Sequence, residues 1–534
     1  MGAAKQVRSV SLGLTLPLSG KRSRALAPSP LAWTQIGAAA VGVVVFAFLM
    51  MFAISPYYAG VSARGGSEVL FKDALDRSAP AILGHFDIPG VVVATVVNGA
   101  PSHTYAYGYA NLERRTPMTP DTVFRVASIS KSLTAWGVMR LAEQGQIDLD
   151  GPAERYLNRW PLAKSPFPTS AVTVRRLLNH TAGLNAGADT FRNPDQPMLT
   201  TRTLLEARLA DGRAALVRPA GDAFEYSVPG YSLLQMILED RTGQSFNSYM
   251  KSAVLRPLGM TSSSFDWDAA LRGRTATPYL DDGRPSAVTI PDDQAADSLF
   301  STATDIARFI AAPLPDPRLP AGAHVISARS VDQLFDRPVE IPSLQLAGLS
   351  ADLPGLGVFV EKAPGQPDIV TNGGFDPGWS SRFYLVPATG DGLAILTNSD
   401  RGQPVIAQIA SIWSAWRGLP PSQMTRVYRV LGTDGVIAIS LLAMLAASLG
   451  ANFVLELRAG RRRRFAFRAR AVLASLLECG LAATAIGVWV FAHHGVITMP
   501  ILNGVGLVVI LGFTVVALAR LAWPLERGAQ AAPA

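Results

Sequence analysis

Long uninterrupted apolar runs are the most prominent pattern in this chain of 534 residues. A helix needs about 20 mainly apolar residues to cross about 30 Å of hydrocarbon, and four runs approach that length. These runs cover residues 35–54, 435–455, 471–492 and 500–522. We therefore expect four transmembrane helices, one near the N terminus and three near the C terminus.

Basic residues flank these runs and orient them. They are concentrated in a leader over 1–34, a loop over 456–470 and a tail over 523–534, and such clusters normally stay in the cytoplasm. The segment between the first two runs is therefore predicted to lie outside the cytoplasmic (inner) membrane, on its periplasmic or extracellular side. A cleaved signal sequence is an alternative to an anchor at the first run, because residues 61–63 resemble a cleavage site.

Within the outer segment, shorter patterns predict an α+β domain over residues 68–420. Apolar stretches bounded by turn residues predict strands at 90–97, 104–109, 383–386 and 393–396. Helical spacing of apolar residues predicts one helix that begins near residue 128 and ends before Gly145, and a second over 405–416. Strands at both ends with a helical stretch between them indicate a sheet interrupted by an insertion.

The charge distribution excludes one class of partner. A formal net charge of +8 and a sequence pI near 9.7 would ordinarily suggest binding to nucleic acid. However, 14 of the 48 Lys and Arg lie in or beside the leader, the loop and the tail, and the outer segment holds 34 basic and 37 acidic residues. The basic excess therefore reports membrane topology, and no nucleic-acid partner is expected.

The candidate chemistry begins at residues 128–131, Ser-Ile-Ser-Lys. Helical residues three apart share a face, so the Lys131 amine can reach the Ser128 hydroxyl and act as its base. A Ser-x-x-Lys motif is short enough to occur by chance, so the neighbouring sequence must show whether a given match is catalytic. A second Ser-x-x-Lys, from Ser248 to Lys251, lies in an amphipathic helical pattern and is interpreted as a surface pair.

The surroundings of Ser128 resemble a known family. Residues 119–128 read Thr-Pro-Asp-Thr-Val-Phe-Arg-Val-Ala-Ser, and residues 177–184 read Leu-Leu-Asn-His-Thr-Ala-Gly-Leu. These runs resemble class C β-lactamases, penicillin-binding D,D-carboxypeptidases and related esterases, over residues 88–416. The resemblance implies an antiparallel sheet flanked by helices, a helical subdomain and a Ser128 nucleophile that forms an acyl-enzyme. It also implies that His180 is structural.

The second family motif, usually Tyr-Ser-Asn, corresponds to Tyr226-Ser227-Val228. The resemblance implies that Tyr226 acts as a shared acid and base, and the alternative is a core tyrosine. A tyrosine side chain has an ordinary pKa of about 10, so we expect Lys131 to stabilise its phenolate. Val228 removes the usual amide, which argues against ordinary β-lactam recognition.

The third motif, usually Lys or His followed by a small residue and Gly, corresponds to Asn372-Gly373-Gly374. Glycines let a substrate approach the backbone, and the amides of Ser128 and Phe375 are implied as the oxyanion hole. Asn372 lacks the charge that would pair with a substrate carboxylate, so we expect it to bind an amide.

An asparagine in this motif, followed by three C-terminal membrane helices, resembles the bacterial peptidases that mature non-ribosomal peptide prodrugs, such as the colibactin prodrug peptidase. That resemblance implies removal of an N-acyl-D-asparagine group from an exported precursor. Asp297 is then expected to supply the polar group that Val228 does not offer. The predicted substrate-binding residues are Asn372, Gly373, Gly374, Val228 and Asp297.

The sequence thus predicts a membrane-anchored serine hydrolase, a peptidase or amidase acting on small peptide, acylated peptide or ester substrates. The alternatives are an envelope D,D-carboxypeptidase, a β-lactamase-like esterase and a non-catalytic penicillin-binding sensor. No cofactor or metal is expected, because the six histidines form no cluster with acids or cysteines. Membrane lipid is an expected partner, and an export transporter is a further one for the prodrug interpretation.

Overall fold

The computed structural model describes residues 66–426 and 428, except 161, 163–164, 188–189, 211–215, 315–324, 336–352 and 363–364. The four predicted transmembrane runs and the basic leader, loop and tail lie outside these residues. No helix in the described part of the chain is long and apolar enough to cross a membrane.

The described residues form one large antiparallel sheet and two small strand pairs. The order in the large sheet is β3-β2-β1-β12-β11-β10-β9-β8, and β4 pairs with β7 and β5 with β6. The strands are β1 (Gly90–Val97), β2 (Ala100–Asn111), β3 (Thr116–Pro117), β4 (Phe124–Arg125), β5 (Phe191–Arg192), β6 (Ile290–Pro291), β7 (Phe300–Ser301), β8 (Leu353–Pro354), β9 (Phe359–Glu361), β10 (Ile369–Asp376), β11 (Trp379–Val386) and β12 (Asp391–Thr397).

Helices cover both faces of this sheet and fill the long connection between β4 and β8. They are α1 (Glu68–Phe86), α2 (Ile129–Glu143), α3 (Val174–Leu178), α4 (Thr201–Ala210), α5 (Val228–Thr242), α6 (Phe246–Met250), α7 (Ala269–Arg272), α8 (Gln294–Asp297), α9 (Ala303–Ala311), α10 (Ala328–Phe335) and α11 (Gly402–Arg417). Short 3-10 turns lie at Ala153–Tyr156 and Thr169–Ala171, and a π turn at Lys251–Leu255.

The sheet is buried on both faces, which explains why β1 is a continuous apolar run. Because successive strand residues point to opposite faces, Val91 and Val93 enter the core under α1 and α11, whereas Val92 and Ala94 enter the larger core on the α2 side. Pairing of β1 with β12 joins the two ends of the domain. The predicted α+β arrangement with a helical insertion is therefore confirmed.

The individual element predictions also agree with the structure. The predicted strand over 90–97 is β1, and the strands predicted at 104–109, 383–386 and 393–396 lie within β2, β11 and β12. The helix predicted near residue 128 is α2, and the helix predicted over 405–416 lies within α11.

Candidate active site

Ser128 lies at a strained turn that leads into α2. It is the residue before the helix, and its side chain does not cap the helix. The preceding Ala127 has φ 46°, a left-handed conformation that costs a non-glycine residue energy and is typical of functional sites. Neighbours hold the turn: Val126 N–H donates to Leu299 O (2.9 Å), and Ser130 Oγ donates to Ala127 O (2.6 Å).

Three polar side chains meet at the Ser128 hydroxyl. Lys131 Nζ donates to Ser128 Oγ at 3.0 Å and Tyr226 OH donates to it at 2.9 Å, while Ser128 Oγ donates to Asp297 Oδ1 at 2.7 Å. The structure thus brings together all three predicted catalytic residues. It adds Asp297, which the sequence suggests only as a substrate contact.

Lys131 and Asp297 form a buried ion pair beneath the hydroxyl. Only 1% of Lys131 and 2% of Asp297 is exposed. Lys131 Nζ lies 3.2 Å from Asp297 Oδ1 and 3.3 Å from Oδ2, and also donates to Ala296 O at 3.2 Å. An ammonium group has three donors, and Ser128, Ala296 and Asp297 lie within donating distance of it. The Tyr226 side chain also hydrogen-bonds with Lys131.

Tyr226 is held as a protonated phenol. Burial raises the pKa of Tyr226 above its ordinary value; Lys131 opposes this rise and Asp297 adds to it. The sequence predicts that the lysine favours the phenolate, but burial outweighs the lysine. At neutral pH Tyr226 therefore carries its proton and is placed to donate it.

His180 packs against the ring of Tyr226. Its ring stacks on the Tyr226 ring with a centroid distance of 4.3 Å, and its Nδ1 accepts from Ser227 N–H at 3.0 Å. Burial and the nearby Lys131 charge lower the pKa of His180 to about 3, so the imidazole is neutral. This geometry fits the structural role that the family resemblance implies.

Strand β10 passes directly beside the nucleophile turn. A Cβ added at Gly374 would overlap Val126 O and would lie 2.7 Å from Ser381 Oγ and 2.8 Å from Ala127 Cβ. Only a glycine allows this approach. The adjacent Phe375 side chain is 59% exposed. The predicted oxyanion hole of the Ser128 and Phe375 amides stays a prediction, and the close approach of the two segments supports it.

Asn372 is engaged within the protein. Only 4% of it is exposed, and its Nδ2 lies within donating distance of Ser128 O (3.1 Å), Ser132 Oγ (2.9 Å) and Gly357 O (3.2 Å). Its Oδ1 accepts from Gly373 N–H at 2.8 Å. The Asn372 side chain therefore links β10 to α2 by hydrogen bonds. A direct contact between its amide and a substrate would require these hydrogen bonds to rearrange.

Val228 is buried at the start of α5, where its N–H donates to Ala186 O at 2.9 Å. A cleft adjoins the catalytic groups. Its lining includes Lys131, His180, Tyr226 and Phe359.

The second Ser-x-x-Lys match has no comparable surroundings. The Ser248 hydroxyl accepts from Ser245 Oγ at 2.8 Å near the surface, and Lys251 is partly exposed in the π turn. Among the described residues, no group of three or more His, Cys, Asp and Glu could hold a metal ion.

The fold and the cluster at Ser128 define a serine hydrolase of the β-lactamase and penicillin-binding protein class. The Beta-lactamase family profile matches residues 75–415, and the chain belongs to this family.

Three relatives illustrate the similarity. The chain is 30% identical to penicillin-binding protein 4 of Amycolatopsis lactamdurans over 322 residues, which are 58% of this chain and 81% of that protein. It is 26% identical to penicillin-binding protein 4* of Bacillus subtilis (strain 168) over 301 residues, which are 52% of this chain but only 61% of that relative. A crystal structure of SurE with D-Leu superposes with a TM-score of 0.53 at 26% identity, covering 65% of this chain and 76% of SurE.

Proposed function

We propose that this protein is a membrane-anchored peptidase or amidase whose catalytic domain acts outside the cytoplasmic membrane on small acylated peptides. The observation that carries the chemistry is the placement of Lys131, Tyr226 and Asp297 within 3.0 Å of the Ser128 hydroxyl oxygen. A serine hydroxyl is a weak nucleophile unless neighbouring groups activate it. The membrane location rests on the apolar runs and their basic flanks.

The proposed reaction passes through an acyl-enzyme. Ser128 Oγ gives up its proton to one of the groups that contact it and bonds to the substrate carbonyl carbon, while the amides of Ser128 and Phe375 hold the oxygen that becomes negative. Each such donor is worth about 10²–10³ in rate. Tyr226, kept protonated by burial, gives its proton to the leaving amine. Water then releases the acyl group and regenerates Ser128.

The substrate class is proposed from the site and its relatives. SurE was solved with D-Leu, which supports residues of D configuration at the scissile bond. A cleft lies beside Tyr226, and Val228 is a buried apolar residue where an amide would be usual. The narrower form of the proposal is removal of an N-acyl-D-asparagine group from an exported peptide. In that form the C-terminal membrane helices present a lipophilic substrate or contact an exporter.

One experiment separates these substrates. The full-length protein in detergent is incubated with acyl-D-asparaginyl peptides and with acyl-D-alanyl-D-alanine, and the products are followed by mass spectrometry with Ser128→Ala as the blank. Cleavage after D-asparagine supports the prodrug-type peptidase, and cleavage of D-alanyl-D-alanine alone identifies an envelope carboxypeptidase. An acyl-Ser128 adduct that forms and persists would contradict a hydrolase and favour the sensor. Equal hydrolysis by Ser128→Ala would exclude Ser128 as the nucleophile.

A further inference from the structure

Asp297 is a buried carboxylate in direct contact with the nucleophile, and the reaction outlined above gives it no role. Two short strands bring it there. Pairing of β4 with β7 and the bond from Val126 N–H to Leu299 O place the end of α8 beside the start of α2. Asp297 Oδ1 then lies 2.7 Å from Ser128 Oγ although 169 positions separate the two residues.

The contacts around Ser128 Oγ are consistent with a serine hydroxyl that donates to Asp297. A lysine ammonium is only a donor, and a phenol that keeps its proton donates when its partner is an accepting oxygen. Lys131 and Tyr226 therefore both donate to Ser128 Oγ, at 3.0 and 2.9 Å. The single hydrogen of the serine is left to point at a third group, and the acceptor present is Asp297 Oδ1.

We propose that Asp297 is a further catalytic residue, the general base that accepts the Ser128 proton when the acyl-enzyme forms. This inference rests on the proposed acyl transfer at Ser128. It revises the sequence-based prediction, in which Lys131 with Tyr226 removes that proton. Lys131 instead remains a cation that stabilises both the carboxylate and the negative charge developing on Ser128 Oγ.

Protons and electrons balance in this step. The Ser128 O–H bond breaks, its proton passes to Asp297 Oδ1, and its electron pair forms the bond to the acyl carbon. The carbonyl π pair moves onto the oxygen held by the backbone amides. When the tetrahedral adduct collapses, the C–N bond breaks, and the leaving nitrogen takes the Tyr226 proton. In the second half of the reaction, the Tyr226 oxygen takes a proton from the water that attacks the ester. The Asp297 proton passes back to Ser128 Oγ as the ester C–O bond breaks, which restores all three groups.

Burial makes Asp297 suitable for this role. It is 2% exposed, and a short transfer between groups already in contact requires little rearrangement. Pairing with Lys131 offsets the cost of holding a carboxylate there, because a buried charge must be paired to be tolerated.

The test uses Asp297→Asn, which keeps the shape and removes the charge, in the full-length protein. The readout is the second-order rate of Ser128 labelling by a fluorophosphonate, which reports the activation of the serine whatever the peptide substrate is. A general base contributes about 10²–10⁴ in rate, so we expect labelling to fall at least about 100-fold. Asp292→Asn is the matched control, because Asp292 is also buried and pairs with Arg192, and it makes none of the hydrogen bonds described at the Ser128 hydroxyl. Its labelling rate should stay within about threefold.

Labelling of Asp297→Asn within threefold of the unaltered rate, or faster, would overturn the inference. A faster rate is what a lysine base predicts, since loss of its counter-charge would release its proton. A second variant decides the matter if Asp297→Asn does not fold. Lys131→Arg keeps a permanent positive charge that cannot accept a proton; labelling within tenfold supports Asp297 as the base, and labelling at the Ser128→Ala level excludes it. Absence of Ser128 labelling in the unaltered protein would instead contradict the proposed function itself.

Discussion

Gly374 lies where β10 approaches the nucleophile turn most closely, and Gly374→Ala adds a single methyl group at that point. The new Cβ would overlap the Val126 carbonyl oxygen and press on Ser381 Oγ and Ala127 Cβ at 2.7 and 2.8 Å. Val126 O and Ala127 Cβ both belong to the nucleophile turn, where Ala127 already has φ 46°. Neither atom can move away unless the turn itself moves.

Stability and activity should respond by different amounts. Overpacking of this kind costs about 1–3 kcal/mol, so the midpoint of thermal unfolding should fall by a few degrees while the domain still folds. Displacement of catalytic groups by about 1 Å typically costs about 10² in rate. We therefore expect kcat/KM and fluorophosphonate labelling of Ser128 to fall about 100-fold, a much larger effect than the loss of stability.

Two other glycine substitutions calibrate this result. At Gly373 an added Cβ would lie 3.2 Å from Ser381 O, so Gly373→Ala should cost less than Gly374→Ala in both measurements. At Gly84, inside α1, nothing lies within 4 Å of the added Cβ. Gly84→Ala should leave activity unchanged and stabilise the helix by about 0.5–1 kcal/mol. Activity of Gly374→Ala within threefold of the unaltered protein would refute the described approach of β10 to the nucleophile turn.

Three further predictions address the proton donor, the buried histidine and the topology. Tyr226→Phe should fold normally and lower kcat by about 10², measured with a peptide whose amine is a poor leaving group; equal loss with an activated ester would contradict the donor role. Because the pKa of His180 falls from 6.5 unfolded to about 3 folded, the unfolded state binds its proton first, and stability is lost as pH drops below 6.5. Between pH 7 and 4 this should remove about 3 kcal/mol, measured by urea unfolding as the difference between the unaltered protein and His180→Gln. A phosphatase reporter fused after Asp434 should be active and one fused after Arg462 inactive, and the reverse pattern would exclude the proposed orientation.

The sheet and the nucleophile can be predicted because their signals are local. A continuous apolar run with turns at both ends identifies β1, and spacing of three on a helix links Ser128 to Lys131. The first half of β11 escapes sequence-based prediction for a physical reason. Ser380, Ser381 and Arg382 look like a polar loop in sequence, yet pairing with β10 and β12 places them in the sheet.

The electrostatics of the site cannot be predicted because they depend on contacts between distant parts of the chain. The sequence suggests Asp297 as a substrate contact, and only the β4–β7 pairing shows that it reaches Ser128 Oγ. Likewise, the sequence predicts that Asn372 faces the substrate through its amide. Its bonds to Ser128 O, Ser132 Oγ and Gly357 O depend on where α2 and the segment before β9 pack.

These contacts bear on which substrates the site can favour. Lys131 is neutralised by Asp297, and Asn372 carries no charge, so among the described groups that contact Ser128 no cation is left over for a substrate carboxylate. A buried carboxylate without a partner is costly to hold. We therefore expect a peptide whose carboxylate must enter this site to bind less well than one that presents a neutral amide. This preference holds whichever group takes the serine proton, because it depends only on the summed charge around Ser128.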